Sequence, residues 1–306
     1  MIRLRLFGRV IALMMSIITG FFAGLAPHGP ERYYTAQEIA AFTEKSAEAY
    51  PAGMIVAIGG KFDSDESFRP ILERCVAHVN KAAPHMLFVP TANRDEYTED
   101  DAIIRRFASA GCETDVLLVS KASAAEVAEK FAWADIVYAT GGSLKFLTEN
   151  WAQKGVYEAA RQAFERGAAL LGSSSGAMCW ADRGWDDTEP ETLRVIAHNP
   201  FVGMGPGFAF YDCAGLIPFC LTPHFDSLGW RSYCYEAENA GLPSLCVENG
   251  AALVYEGGAY SVLSDVKTPT RSVFLFWPER GISFVNLRQN AALSAVADGE
   301  QRAARG

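Results

Sequence analysis

From Met54 onward the chain alternates short, nearly unbroken apolar runs with longer stretches that are apolar on one side only. Met54-Ile-Val-Ala-Ile58, Met86-Leu-Phe-Val89, Asp115-Val-Leu-Leu-Val119, Asp135-Ile-Val-Tyr-Ala139 and Ala168-Ala-Leu-Leu171 predict strands. Between the first two, residues 66–82 carry Phe68, Ile71, Leu72, Cys75, Val76 and Val79 at helical spacing, and residues 101–110, 123–132 and 143–166 predict further helices. Strands that are apolar throughout, rather than alternately, are covered on both faces, and helices between them make the crossovers of a parallel sheet. The pattern therefore predicts an α/β fold, a three-layer doubly wound sandwich with a mostly parallel sheet.

In such folds the chemistry collects in the loops beyond the C-terminal ends of the strands. The polar, Gly-rich segments at residues 59–64, 90–96, 140–143 and 172–176 stand at those ends. After about residue 205 the pattern is richer in strands. Phe219-Cys-Leu-Thr222 is one, and residues 251–255 and 259–263 predict a hairpin turning at Glu256-Gly-Gly258.

Charge and cysteine usage narrow the function. The net charge is −9, and no stretch beyond the first nine residues is rich in Lys and Arg, so the basic stripe that nucleic acid requires is missing. Seven cysteines at irregular spacing, several in apolar runs, predict free reduced thiols and a cytoplasmic catalytic domain. No CxxC pair accompanies Cys213, Cys220 and His224, so neither a metal nor another cofactor is expected.

The N-terminus points elsewhere. Three arginines lie within residues 1–9, and residues 10–26 then carry no charge, a pattern that resembles a signal peptide or a short membrane anchor. Because Met54 opens the first core strand, an over-long start is the alternative. Residues 1–53 are accordingly read as an extension, 54–290 as the catalytic domain and 291–306 as a frayed tail. Membrane contact is expected only through residues 1–26.

The strongest chemical signal is Leu171-Gly172-Ser173-Ser174-Ser175-Gly176-Ala177, at a strand–helix junction. A G-x-S-x-G turn raises its central serine on a sharp elbow, where only small residues fit two positions before and after it. The glycine frame selects Ser174 as nucleophile, and the N–H of Ser175 falls where an oxyanion forms. A serine nucleophile needs a base. Of five histidines, His28 lies in the extension, His78 and His85 flank a helix–strand connection, and His198 sits in a turn signal. His224, in Leu221-Thr-Pro-His-Phe-Asp226, follows an apolar run at a strand end and is the candidate base.

The Gly-x-Ser-x-Gly-Ala elbow, followed 50 residues later by Pro-His-aromatic-Asp, resembles the peptidase E (aspartyl dipeptidase) family, which also contains the cyanophycinases. Gly141-Gly142-Ser143-Leu144 and Ile58-Gly59-Gly60 match further marks of that family, and Gly215-Leu216-Ile217 resembles its uncharacterised branch most closely. The likeness covers about residues 54–265. It implies a fold similar to the glutamine amidotransferase domain, a Ser–His–acid triad, and an oxyanion hole shared by the Gly141-Gly142 loop and Ser175. It also implies hydrolysis of short peptides, Asp-X dipeptides in the best-known branch.

Two positions depart from the family pattern. Ser175 stands where alanine is usual. The acid lies before a glycine after the histidine, and here Val247-Glu248-Asn249-Gly250 aligns Asn249 with it and Glu248 one residue early. A one-residue slip in a strand reverses the face. Glu248 is the favoured acid because a carboxylate also stabilises an imidazolium. Asp187 is the reserve, and Asn249, a neutral acceptor, is the third reading. Arg231 and Asn93-Arg94 are candidates to hold a substrate carboxylate. Trp180, Trp185, Phe208, Phe210 and Tyr211 are candidates to line a pocket or to fill the core.

The expected partner is a short peptide, with a homodimer as a further expectation. The alternatives are an esterase with the same elbow and a non-catalytic binding or membrane-tethered module; a cysteine enzyme is a further rival, but Cys179 lies five residues past Ser174, too far along the helix to replace it.

Overall fold

The computed structural model describes residues 52–187, 208–227, 229–235, 237–240, 242–257, 259–276 and 284–287. Residues 1–51 of the N-terminal extension, with its apolar run, His198 and the C-terminal tail lie outside these residues. Among the described residues no helix is long and apolar enough to cross a membrane.

Five parallel strands make up most of the main sheet: β1 (Met54–Ile58), β2 (His85–Val89), β3 (Glu113–Val116), β4 (Ile136–Ala139) and β5 (Ala169–Ser173). The hairpin β10 (Ala251–Glu256) and β11 (Ala259–Ser264) extends it by antiparallel pairing with β1, giving the order β11-β10-β1-β5-β4-β2-β3. Helices α1 (Asp65–Val79), α2 (Ala102–Ser109), α3 (Ala124–Trp133), α4 (Leu144–Lys154) and α5 (Val156–Glu165) make the crossovers, and the short α6 (Ser175–Met178) follows β5.

The two-sided burial read from the sequence is visible within β1. Ile55 and Ala57 join one core, with α3, α4 and α5, while Met54, Val56 and Ile58 join another, with Phe68 and Ile71 of α1 and Phe107 of α2. Both faces of the strand are apolar because both are covered. Three of the helices start on serine caps where the chain needs an acceptor: Ser64 accepts from the N–H of Ser67, Ser123 from Glu126 and Ser143 from Phe146.

Two boundaries differ from the sequence reading. The third strand is shifted towards the N-terminus, because Leu117 and Val119 reach the core from a loop rather than from the sheet. The long helix predicted over residues 143–166 is broken at Gly155, whose φ of 74° ends α4 on the carbonyl of Trp151 and starts α5.

The β-rich second half forms a separate sheet, ordered β13-β12-β9-β8-β6-β7. Its strands are β6 (Ala181–Asp186), β7 (Ala209–Asp212), β8 (Ile217–Thr222), β9 (Ser244–Val247), β12 (Val273–Phe276) and β13 (Phe284–Asn286). β6, β8 and β9 are parallel, β7 pairs antiparallel with β6 and β12 with β9, and β13 pairs antiparallel with β12. One face of this sheet shares the core beneath α3–α5 through Phe219, Leu221, Leu245 and Val247, and the other packs Cys220, Cys246, Phe274 and Phe276 around Tyr233. Two backbone hydrogen bonds tie the strand ends of the two sheets together, His224 N–H to Gly59 O (3.2 Å) and Gly250 N–H to Gly60 O (2.7 Å). The site is built at that seam.

Candidate active site

Ser174 leaves β5 with φ 55° and ψ −118°, a conformation L-residues rarely adopt, and its N–H donates to Ile58 O at 3.0 Å. Such strain costs about 1–3 kcal/mol and persists only where the surroundings impose it. The flanking glycines are imposed by backbone crossings. A Cβ on Gly172 would lie 2.2 Å from Gly176 O, and one on Gly176 would lie 2.1 Å from Ala139 O.

His224 follows β8 and also has a positive φ, 53°. Its Nε2 is 2.8 Å from Ser174 Oγ, and its Nδ1 is 2.8 Å from Asn249 Oδ1. The two residues that sequence reasoning singled out as nucleophile and base are thus brought together across the seam. Trp230 covers the imidazole, with ring centroids 5.2 Å apart.

The residue that meets the far side of the imidazole is Asn249, not Glu248. Both are buried, but Glu248 faces away: its carboxylate accepts from the N–H of Ser272 (3.0 Å) and pairs with Arg271 (3.3 Å). The one-residue slip therefore has its full effect, and the carboxylate favoured from sequence lies on the wrong side of the chain. Asp187 is exposed, and with both ring nitrogens of His224 engaged by Ser174 and Asn249 neither is left for it.

Asn249 is itself held. Its N–H and its Nδ2 both donate to Asp226 Oδ1, each at 2.8 Å, and Nδ2 also donates to Ser227 Oγ at 3.1 Å. Asp226 Oδ2 lies 3.2 Å from Arg271 Nη1, so one guanidinium bridges Asp226 and Glu248. Gly60 makes room for this array. With φ 129°, it leaves open the space where a Cβ would stand 2.6 Å from both Asn249 Oδ1 and His224 Cε1.

The Gly141-Gly142 loop beyond β4 lies against the elbow, with a Cβ on Gly141 falling 3.1 Å from Ser174 Cβ. Gly142, at φ 144°, passes so close to Ala92 that a Cβ would be 2.2 Å from its carbonyl oxygen. Ser175, the departure from alanine, donates its hydroxyl to Gly142 O at 2.8 Å and is fully buried. It pins that loop to the elbow.

The remaining candidates divide between site and scaffold. Arg94 stacks over Phe146, 5.2 Å from its centroid, next to the segment that packs on Gly142. Asn93 donates its amide to Glu96 O, and Arg231 donates Nε to Phe225 O. Trp180 is core, its ring tilted against that of Trp151 with centroids 5.3 Å apart. Trp185 and Phe208 stack at 4.0 Å and reach Trp230 at 6.1 and 5.1 Å, forming an aromatic wall that continues from the one over His224. Phe210 lies beneath Arg183 in the same region, and Tyr211 packs against the main core. Cys179 is fully buried, donates to Gly176 O, and has its thiol pushed well above the usual 9.0 by that burial, so it is no rival to Ser174. Asp226, Arg271 and Gly60 were not assigned roles from sequence, although the Asp of Pro-His-aromatic-Asp and the second glycine of Ile58-Gly59-Gly60 stood inside the motifs.

Comparison with known proteins agrees with this fold. The model of peptidase family S51 matches residues 54–263. Two relatives are 27% identical: the uncharacterized peptidase YgaJ of Bacillus subtilis (strain 168), over 203 residues covering 65% of this chain and 81% of that protein, and the uncharacterized peptidase PM1590 of Pasteurella multocida (strain Pm70), over 141 residues covering 45% and 63%. Among solved structures, a peptidase from an acI-B1 Actinobacterium shares the fold, with a TM-score of 0.56 at 19% identity over 74% of this chain and 91% of that one. The chain belongs to peptidase family S51, and is a peptidase.

Proposed function

We propose that Ser174, His224 and Asn249 are the catalytic triad of a serine peptidase that acts on short peptides. The observation that carries this reading is the continuous contact Ser174 Oγ–His224 Nε2–His224 Nδ1–Asn249 Oδ1, at 2.8 Å in both steps, on a strained elbow. Ser174 Oγ attacks the amide carbonyl carbon while His224 Nε2 takes its proton. The carbonyl oxygen, now negative, is held by the N–H groups of Ser175 and Gly142, which donate to no other group among the described residues. The imidazolium returns the proton to the leaving amine as the C–N bond breaks, and water, activated by the same nitrogen, releases the acyl group as a carboxylate.

Peptides are favoured over esters because the family is one of peptidases. Asp-X dipeptides are the first substrates to test. The resemblance to the aspartyl dipeptidases suggests them, and Arg94 brings a cation beside the oxyanion loop. The discriminating assay compares a dipeptide panel with p-nitrophenyl esters, using wild type and Ser174→Ala. Amide hydrolysis lost in Ser174→Ala is the expected result. Hydrolysis that persists in that variant overturns the triad.

A further inference from the structure

We infer that Asp226 is a positioning residue, which sets the catalytic imidazole through Asn249; this rests on the triad proposed above. An asparagine is an ambiguous triad member, because its amide can turn either its oxygen or its NH₂ to a neighbour. Nothing in Asn249 itself decides which end His224 meets. Asp226 decides it. Its Oδ1 is an acceptor only, and it takes both the Asn249 N–H and Nδ2 at 2.8 Å, with Ser227 Oγ accepting from the same Nδ2 at 3.1 Å. Turned over, the amide would set its own oxygen against that carboxylate, two acceptors at hydrogen-bond distance.

Asn249 Oδ1 therefore faces the imidazole and accepts from Nδ1–H, which leaves the lone pair on Nε2, opposite the Ser174 hydroxyl. The tautomer needed for proton abstraction is fixed two residues away from the reacting atoms. Asp226 is in turn anchored by Arg271, which reaches its Oδ2 at 3.2 Å and also holds Glu248.

The negative charge of Asp226 stands one residue beyond the imidazole's own partner, with the neutral amide of Asn249 between. Restoring an acid at position 249 is then the wrong repair. The carboxylate introduced by Asn249→Asp would put an oxygen where Nδ2 now lies, 2.8 Å from Asp226 Oδ1. Exchanging both residues moves the charge back beside the imidazole without bringing two carboxylates together.

The test uses the full chain carrying Asp226→Ala, Asp226→Asn, Asn249→Asp, or the exchange Asn249→Asp with Asp226→Asn. Readouts are dipeptide kinetics, thermal unfolding and the ¹⁵N resonances of the His224 ring. Asp226→Ala is expected to lower kcat by about 10–100-fold with KM little changed, the usual size of losing an outer orienting partner. Its His224 resonances should shift from a single Nδ1–H form to a mixture. Asn249→Asp alone should be less active than the double exchange. The inference is overturned if Asp226→Ala and Asp226→Asn keep both kcat and the wild-type ring resonances, or if Asn249→Asp is at least as active as the exchange. Failure of the triad itself is a separate outcome, visible as hydrolysis surviving in Ser174→Ala, and the ring resonances report on Asp226 even then.

Discussion

Ser174 and His224 meet 2.8 Å apart with both backbones at positive φ, 55° and 53°. Neither residue is glycine, so neither adopts that conformation without cost. The fold thus holds two strained residues in register across a seam between sheets, and the strain is recoverable. Ser174→Gly should be more stable than Ser174→Ala. Relief of about 1–3 kcal/mol, less roughly 0.4–1 kcal/mol for the freer unfolded chain, leaves about 1 kcal/mol, or about 2–4 °C in Tm for a domain of this size. Differential scanning calorimetry of the two variants checks it.

Gly60 is the position where the array is least tolerant. Gly60→Ala would press a methyl group onto Asn249 Oδ1 and the His224 ring, at a φ of 129° that alanine disfavours. The expected result is a fall in kcat of about 100-fold, the scale that follows from displacing a catalytic group by about an ångström. Steady-state kinetics beside a circular dichroism spectrum separates this from unfolding.

Thiol chemistry should be silent. All seven cysteines are unpaired, and burial raises the Cys220 and Cys234 thiols to about 11 and the Cys179 and Cys246 thiols well above their ordinary value. Thiolates are the reactive form, so iodoacetamide near neutral pH should leave activity unchanged. Inhibition by iodoacetamide that Cys179→Ser abolishes would restore the cysteine alternative.

At the opposite end of the main sheet, Glu256 of β10 gathers His78 and Arg74 of α1. Burial by itself would raise the Glu256 carboxyl, but the hydrogen bond from His78 and the charges of Arg74 and His78 outweigh it and hold the group below 4.5. A carboxyl depressed in the folded state stabilises the fold fully above its unfolded value and loses that contribution as pH falls through its folded value. Wild type should therefore unfold at higher temperature than Glu256→Gln at pH of about 6, with the gap closing below pH of about 4. A gap independent of pH would show that the contact acts through packing alone.

How much of this was readable beforehand depended on whether a feature is local. The strands of the main sheet were legible because two-sided burial writes an apolar run into the sequence, as in Met54–Ile58. The elbow that carries Ser174 was legible because it demands glycine at fixed offsets. The partner of the imidazole was not, because Glu248 and Asn249 differ only in which way a buried turn points them, and a preference for a carboxylate favours the one that faces away. The charge that argument sought exists, but it sits on Asp226, two residues from His224. Its effect depends on a contact with a strand end 23 positions further along the chain. The second sheet escaped for a related reason: its strands pair across long separations, such as β6 with β8, and carry Arg183 and Pro218 within them.

The most direct test is labelling with a fluorophosphonate, which reacts only with a serine oxygen that a neighbouring base has activated. Mass spectrometry of the digested adduct should find the phosphonate on Ser174 in wild type, and no adduct in Ser174→Ala or in His224→Ala, with all three proteins folded. An adduct on another residue, or labelling of His224→Ala at the wild-type rate, would contradict a nucleophile raised on this elbow and activated by this imidazole.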